Sequence, residues 1–308
     1  LKFEMTEKKQ AIWLFSGGPM QEHAAKKIIE LGYQLILTDI DNNCICAKYA
    51  DEFIECDTFD FNANLEAADK LKINHHISAV VTLAADCHET VALVNKHLGL
   101  NGIDPKIAHI CRNKNITREV LTLAGIPQPK FSCVDNIEDA KSFLISIGNK
   151  GVIKSTDNSG SRGFAKLNSP DELTEEIFDN AISSGTSGSV LIEETLIPIR
   201  EDIAELSVET LWYNGKMHWL NWVDRLFRDD LNFFPSFYDE NIPLATWGVE
   251  VGHINPAQHS NDVKNKISEM IYEAGVAIGL KGETGGHILK ADMMLTDGGP
   301  MIIEITPR

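Results

Sequence analysis

Basic residues are scarce in this sequence. Only 28 Lys and Arg stand against 45 Asp and Glu among 308 residues, a formal net charge of −17. A nucleic-acid-binding surface needs those cations in excess, so no nucleic-acid partner is expected. Any anionic ligand must be held by a few local cations instead. No apolar run is long enough to span a bilayer and the N-terminus has no signal-peptide pattern, which argues against a membrane partner. The six cysteines (Cys44, Cys46, Cys56, Cys87, Cys111, Cys133) form no C-x-x-C pair. Neither a zinc site nor a disulfide framework has the spacing or context it needs, and reduced, buried thiols in a cytoplasmic protein are the expectation. A G-x-x-x-x-G-K-[ST] loop and a G-x-G-x-x-G fingerprint are both absent. So are a recognisable Ser/His or Cys/His nucleophile set, internal repeats and low-complexity segments. Leu1 is not a start methionine, as expected of a trimmed or altered N-terminus.

What is present is an ordinary globular composition, 43% hydrophobic and 24% charged, in a chain long enough for two or three domains. Residues 11–15 form an apolar run followed by Ser16-Gly17-Gly18-Pro19, a helical pattern from Glu22 to Leu31, and a second apolar run at 34–39. This strand–turn–helix–strand order predicts a βαβ unit. Its glycine turn lacks dinucleotide spacing and reads as a tight connection. Further strands are expected at 53–56 and 79–83 and a helix at 90–98, completing a doubly wound α/β domain. Helices follow at 115–125 and 136–147, the second capped by Asp135 or Asn136. Another is expected to start with Ser169 as N-cap and Pro170 in its first turn. Strands are expected at 190–197, 204–211, 291–295 and 300–305. Tyr213-Asn214-Gly215-Lys216 gives a hairpin signal, and 264–279 is an amphipathic helix.

Two stretches carry chemistry. Residues 151–164 read as a short strand ending in Lys154, then a polar loop with Gly160, Arg162 and Gly163. Small residues let backbone N–H groups approach an anion, and the two cations suit a polyphosphate, although Asn-Ser-Gly-Ser is also ordinary turn composition. Asp292 and Glu304 lie on two strands joined by a Gly-Gly turn that can bring the carboxylates together. Hard cations such as Mg²⁺ take one or two carboxylates plus substrate phosphates. A carboxylate inside an apolar strand, as Glu304 is, rarely goes without a partner.

In this order, Lys114, Lys154, Glu193–Leu196, Glu205, Asp292, Glu304 and Arg308 resemble the ATP-grasp superfamily, in particular its carboxylate–amine ligases, carbamoyl-phosphate synthase-like proteins and L-amino acid ligases. Arg112-Asn113-Lys114-Asn115-Ile116-Thr117-Arg118 is similar to the family's D-K-x-x-x-R, with Asn113 in place of the acid. Glu193-Glu194-Thr195-Leu196 is similar to the adenine hinge, and Glu205-Leu206-Ser207-Val208-Glu209 to the strand whose first Glu holds the ribose. Lys290-Ala291-Asp292 and Glu304-Ile305-Thr306-Pro307-Arg308 are similar to the two Mg²⁺ strands. The resemblance implies an N-terminal doubly wound pre-ATP-grasp domain (1–112) and a two-part α+β grasp fold. Its lid subdomain with the leading helix would cover 113–189 and its C-terminal subdomain 190–308. Relatives continue past the position of Arg308, so a truncated C-terminal subdomain is expected.

The resemblance further implies ATP and Mg²⁺ as cofactors, with Mn²⁺ as an alternative. Lys114, Lys154 and the loop Ser159, Gly160, Ser161, Arg162 and Gly163 would meet the phosphates. Glu193, Glu194 and Leu196 would meet the adenine, the last two through their backbone. Glu205, or Glu201 in the extra residues before it, would take the ribose. Asp292 and Glu304 would hold metal, with Thr306 standing where the family has Asn. Trp222-Val223-Asp224-Arg225 with Phe233-Phe234-Pro235-Ser236-Phe237 resembles a D-R…P-x-F stretch of amino-acid ligases, with a surface loop as the other reading. Arg225 and Arg308, with His287, would then grip a substrate carboxylate. The implied activity is an ATP-dependent carboxylate–amine ligase joining small molecules through an acyl-phosphate, compatible with a homodimer. A bicarbonate-using or purine-pathway enzyme and a non-catalytic ATP-binding protein are the other readings.

Overall fold

The computed structural model describes residues 9–158, 162–200, 205–227 and 250–307. These form two compact units. The first holds residues 9–109 with Glu283–His287 and Pro307, and the second holds residues 110–282 with 288–306.

In the first unit, strands β1 (Gln10–Phe15), β2 (Gln34–Asp39), β3 (Glu52–Glu55) and β4 (His76–Val81) make a four-stranded sheet of order β3-β2-β1-β4. All its pairings are parallel. Alternate side chains divide between its faces, as the pleat requires. Trp13, Phe15 and Ile36 pack with α2 (Phe61–Asn74) and α3 (His88–Leu98), while Leu14, Leu35 and Leu37 pack with α1 (Glu22–Glu30). This is the doubly wound arrangement expected from the sequence. Its glycine turn is closed by protein groups: Gly17 N–H donates to Asp39 Oδ2 at 2.6 Å, Ser16 N–H to the Thr38 carbonyl at 2.8 Å, and the Gly17 carbonyl accepts from Cys46 N–H at 3.0 Å. The turn is a tight connection, as its spacing implied.

The second unit carries two antiparallel sheets. After α4 (Pro105–Arg112) and α5 (Lys114–Leu123), strands β5 (Phe131–Val134), β6 (Gly151–Ser155), β7 (Ala165–Leu167) and β8 (Val190–Glu194) form a sheet of order β5-β8-β6-β7. Its apolar face, with Ile153, Leu167, Val190 and Ile192, packs against α6 (Ile137–Ser146) and α7 (Glu175–Ser183). Asn136 caps α6 by accepting from Asp139 N–H. The helix expected from Ser169 starts later. Pro170–Glu172 make a single 3₁₀ turn whose N-cap side chain forms no bond, and α7 begins at Glu175, where Thr174 accepts from Ile177 N–H.

The other sheet has order β11-β10-β9-β12-β13, built from β9 (Glu205–Tyr213), β10 (Lys216–Phe227), β11 (Glu250–Ile254), β12 (Gly286–Thr296) and β13 (Gly299–Pro307). The Asn214-Gly215 hairpin is present, with φ of 49° and 74° at its two corner residues, the geometry that Asn-Gly favours. On one face of β9, Leu206, Val208, Thr210 and Trp212 are buried. Trp212 lies against Gly275 of α8 (Asn261–Ile278) and stacks on Tyr272, ring centroids 5.7 Å apart. The opposite side carries Glu205, Ser207 and Glu209. A strand with one face committed to a helix and carboxylates on the other presents its charge away from that core.

Candidate functional site

Five cations and five carboxylates of the second unit are paired with one another. Helix α5 starts at Lys114 because Asn113 caps it, its side-chain oxygen accepting from Ile116 N–H at 3.1 Å. Asn and Asp are equally good caps, so the change from the family's acid costs the helix little. Lys114 N–H also donates to the Thr156 carbonyl at 2.7 Å. Its ammonium reaches Glu304 Oε1 at 3.2 Å and donates to the Asn158 carbonyl at the start of the glycine loop. Burial disfavours charge on Glu304, yet Lys114 and then Lys154 hold its carboxyl below the ordinary range.

Lys154, at the penultimate position of β6, pairs with Glu193 Oε2 at 2.5 Å, and Arg118 Nε donates to Glu193 Oε1 at 2.6 Å. Glu193 and Arg118 are each only 2% exposed. Arg118 also spans the two sheets, donating to the carbonyls of Ile302 at 3.1 Å and Ile303 at 2.6 Å in β13. Burial alone would raise the Glu193 carboxyl, but Arg118 and Lys154 bring it down to about 2.

On the five-stranded sheet, Arg225 stands opposite Glu205 in register. Its Nη1 reaches Glu205 Oε2 at 2.7 Å and Asp292 Oδ2 at 3.3 Å, while Nη2 meets Glu250 Oε2 at 3.1 Å. Lys290 supplies Asp292 with a second cation at 2.7 Å. Burial pushes the Glu205 carboxyl up to about 7; Arg225 opposes the rise and the charge of Asp292 adds to it. Asp292 and Glu304 lie on the neighbouring strands β12 and β13.

Among the described residues, no group of three or more His, Cys, Asp or Glu is arranged to hold a metal. Two carboxylates are nevertheless the oxygen set that a phosphate-bound Mg²⁺ requires. Asp292 fits that use: it is 9% exposed, and its Oδ1 makes no hydrogen bond beyond the charge contact with Lys290.

The structure thus brings together Lys114, Lys154, Glu193, Glu205, Arg225, Asp292 and Glu304. Leu196 and Thr306 are half-buried, and Arg162 is exposed. At Gly163 φ is +69°, and a Cβ there would lie 2.7 Å from Ser184. The Glu194 N–H donates to the Lys130 carbonyl at 2.9 Å, and its carboxylate accepts from Lys130 N–H at 2.9 Å. His287 belongs to the first unit, where it bonds the Thr284 carbonyl at 2.8 Å. The surface-loop reading of 222–225 does not hold, since the segment lies in β10 with Asp224 fully buried. Ser159, Gly160, Ser161, Glu201, Arg308 and the stretch 233–237 lie outside the described residues. Sequence reasoning singled out neither Arg118 as a site residue nor Glu250. The spacing of Arg118 from Lys114 was the available signal for the first, and nothing marked the second.

All six cysteines are free, and no helix among the described residues is long and apolar enough to cross a membrane.

Comparison with known proteins gives these features a context. The L-amino acid ligase of Bacillus licheniformis superposes with a TM-score of 0.74 at 19% identity, covering 98% of this chain and 68% of that one. An N5-carboxyaminoimidazole synthetase of Staphylococcus aureus, solved with ADP, gives a TM-score of 0.72 at 17% identity, covering 97% and 70%. The vancomycin/teicoplanin A-type resistance protein VanA of Enterococcus faecium is 24% identical over 205 residues, 66% of this chain and 54% of VanA. The protein y4rH of Sinorhizobium fredii is 29% identical over 124 residues, 40% of this chain and 26% of y4rH. The chain therefore spans between a quarter and about half of the curated relatives it matches. Residues 112–308, well over half the chain, match the family described as "Phosphoribosylglycinamide synthetase, ATP-grasp (A) domain", and the chain belongs to the ATP-grasp family.

Proposed function

We propose that the chain is the ATP-binding and catalytic part of a Mg²⁺-dependent carboxylate–amine ligase acting on an amino acid or similar small acid. The observation that carries this reading is the convergence of Lys114 and Lys154 on Glu304 and Glu193. Two cations arriving from a helix start and a strand end, beside Asp292 and Glu304 on adjacent strands, suit a metal-bound triphosphate. Residues 113–189 would form the lid over 190–308.

In this reading Lys114 and Lys154 exchange their carboxylate partners for phosphate oxygens, and Glu193 remains fixed by Arg118. Asp292 and Glu304 would hold Mg²⁺, with Thr306 offering a hydroxyl, and the bound ion would neutralise charge on the phosphates. A substrate carboxylate oxygen attacks the γ-phosphorus, the bond to the bridging β–γ oxygen breaks, and ADP leaves. The amine nitrogen of the second substrate then attacks the acyl carbon, releasing phosphate and losing a proton. Positioning and charge stabilisation are what phosphoryl transfer asks of a protein, and no side-chain nucleophile is needed. Arg225 and Arg308 are assigned to the substrate carboxylate, and Glu205 or Glu201 to the ribose.

An ADP-release screen tests the proposal, with amino acids singly and in pairs against bicarbonate plus an amine. Release with amino-acid pairs supports the ligase. Release only with bicarbonate moves the enzyme to the carboxylase-like and purine-pathway side of the family. ATP binding without ADP release under any condition refutes catalysis.

A further inference from the structure

Arg225 presents two edges to different partners. Its Nε and Nη2 both rest on Glu250 Oε2, at 3.3 and 3.1 Å, while Nη1 alone reaches Glu205 and Asp292. The second oxygen of Glu250 faces His253, and the Phe227 ring lies under the guanidinium, 4.9 Å from its centre. Glu250 is on the edge strand β11, across β10 from the expected nucleotide carboxylates.

We infer that Glu250 is a positioning residue that anchors one edge of Arg225, so that Nη1 neutralises Glu205 and Asp292 before metal and nucleotide arrive and is free for a substrate carboxylate afterwards. This rests on the proposed function, because it takes Glu205 and Asp292 to be claimed by nucleotide and metal. A guanidinium holds a carboxylate side-on through two N–H groups and keeps its remaining donors directed elsewhere, which an ammonium cannot do. The working edge is thus the one not bound to Glu250. When the metal takes Asp292, Arg225 gives up one contact and keeps its anchor. The acid substrate then meets a cation already oriented, which favours binding of metal–nucleotide before the acid.

The test needs no knowledge of the substrate. Mn²⁺ alone is titrated into the protein, with free ion read by electron paramagnetic resonance, and Mn²⁺·ATP binding is measured by calorimetry. Arg225→Gln removes a competing cation and should tighten Mn²⁺ about tenfold. Glu250→Gln leaves Arg225 resting on Glu205 and Asp292 alone and should weaken Mn²⁺ several-fold. Arg225→Lys, which keeps the charge without the fork, should behave like Glu250→Gln. In the double variant Arg225→Gln/Glu250→Gln, the Glu250 effect should vanish, since Glu250 acts through Arg225. Its persistence there would show a direct field effect and overturn the inference, as would unchanged or weaker Mn²⁺ binding by Arg225→Gln. Mn²⁺·ATP binding lost in Asp292→Asn but indifferent to Arg225 and Glu250 sinks this inference alone. Absence of that binding in the parent protein, or its indifference to Asp292→Asn, overturns the nucleotide reading and this inference with it.

Discussion

Replacing Glu193 by Gln keeps the shape of the side chain and removes one charge from a site where two cations converge. The magnitude can be reached by two routes. The carboxyl is held at about 2 against an ordinary 4.5, and at about 1.36 kcal/mol per pH unit the gap corresponds to about 3 kcal/mol. Removing one partner of a buried, hydrogen-bonded charge pair costs about 3–5 kcal/mol. The routes agree, and Glu193 and Arg118 are too buried for solvent to screen the interaction. The sign with pH follows from the direction of the change. A depressed carboxyl contributes all its stability above 4.5 and loses it as pH falls toward about 2. Urea denaturation of the parent and Glu193→Gln proteins should therefore differ by about 3 kcal/mol at pH 7. The difference should narrow progressively below pH 4.5, where the unfolded parent chain takes up a proton that the folded carboxyl resists down to about 2. A difference below about 1 kcal/mol at pH 7, the scale of an exposed pair, would refute the reasoning. So would a difference that stays constant with pH.

Lys154→Ala should weaken ATP binding strongly, by about 2 kcal/mol or more, the scale of a charge-assisted bond; calorimetry showing unchanged affinity would remove Lys154 from the phosphate site. Glu304→Gln should lower turnover at limiting Mg²⁺ more than it lowers nucleotide affinity, whereas Thr306→Ala should cost less and Thr306→Asn should keep or raise activity. ADP release against Mg²⁺ concentration decides both points, and parental turnover in Glu304→Gln would make these carboxylates structural. Gly275→Ala would place a Cβ 2.1 Å from Trp212 Cζ2, and overpacking of about 1–3 kcal/mol should outweigh the gain in helix propensity. A thermal midpoint at or above the parental value would contradict that packing.

The N-terminal unit was legible because β1 and β2 are apolar runs beside the glycines at 17, 18 and 32, the pattern of strands in a sheet covered on both faces. Helix α2 was missed because its buried stripe is only Asn64, Ala68 and Leu71, too thin and too polar to signal a helix by periodicity. The start of α7 was misplaced because Ser169 and Pro170 imitate a helix start, while Thr174 is the residue whose side chain closes one. The strand through 222–225 is not legible by periodicity, since Trp-Val-Asp-Arg does not alternate cleanly. The strand exists because Asp224 is satisfied on the buried side, where it accepts from Gln258 N–H at 2.8 Å and pairs with His259 at 2.7 Å. The candidate site was legible as a list of charged residues in order. Which cation meets which carboxylate was not, because pairs such as Arg118–Glu193 and Arg225–Asp292 join distant segments, and only the tertiary fold sets those distances.

Arg118 has a mechanical consequence. With Nε on β8 and two further nitrogens on the β13 backbone, it rivets the four-stranded sheet to the five-stranded one at the C-terminal end of β8. Any hinged rocking between the two sheets that spares these bonds must take this rivet as its fulcrum. β8 lies next to that fulcrum, while β7, at the far edge of its sheet, sweeps the longest arc. Lys154 travels on β6, the strand between them, and its ammonium, paired with Glu193 beside the rivet, moves little.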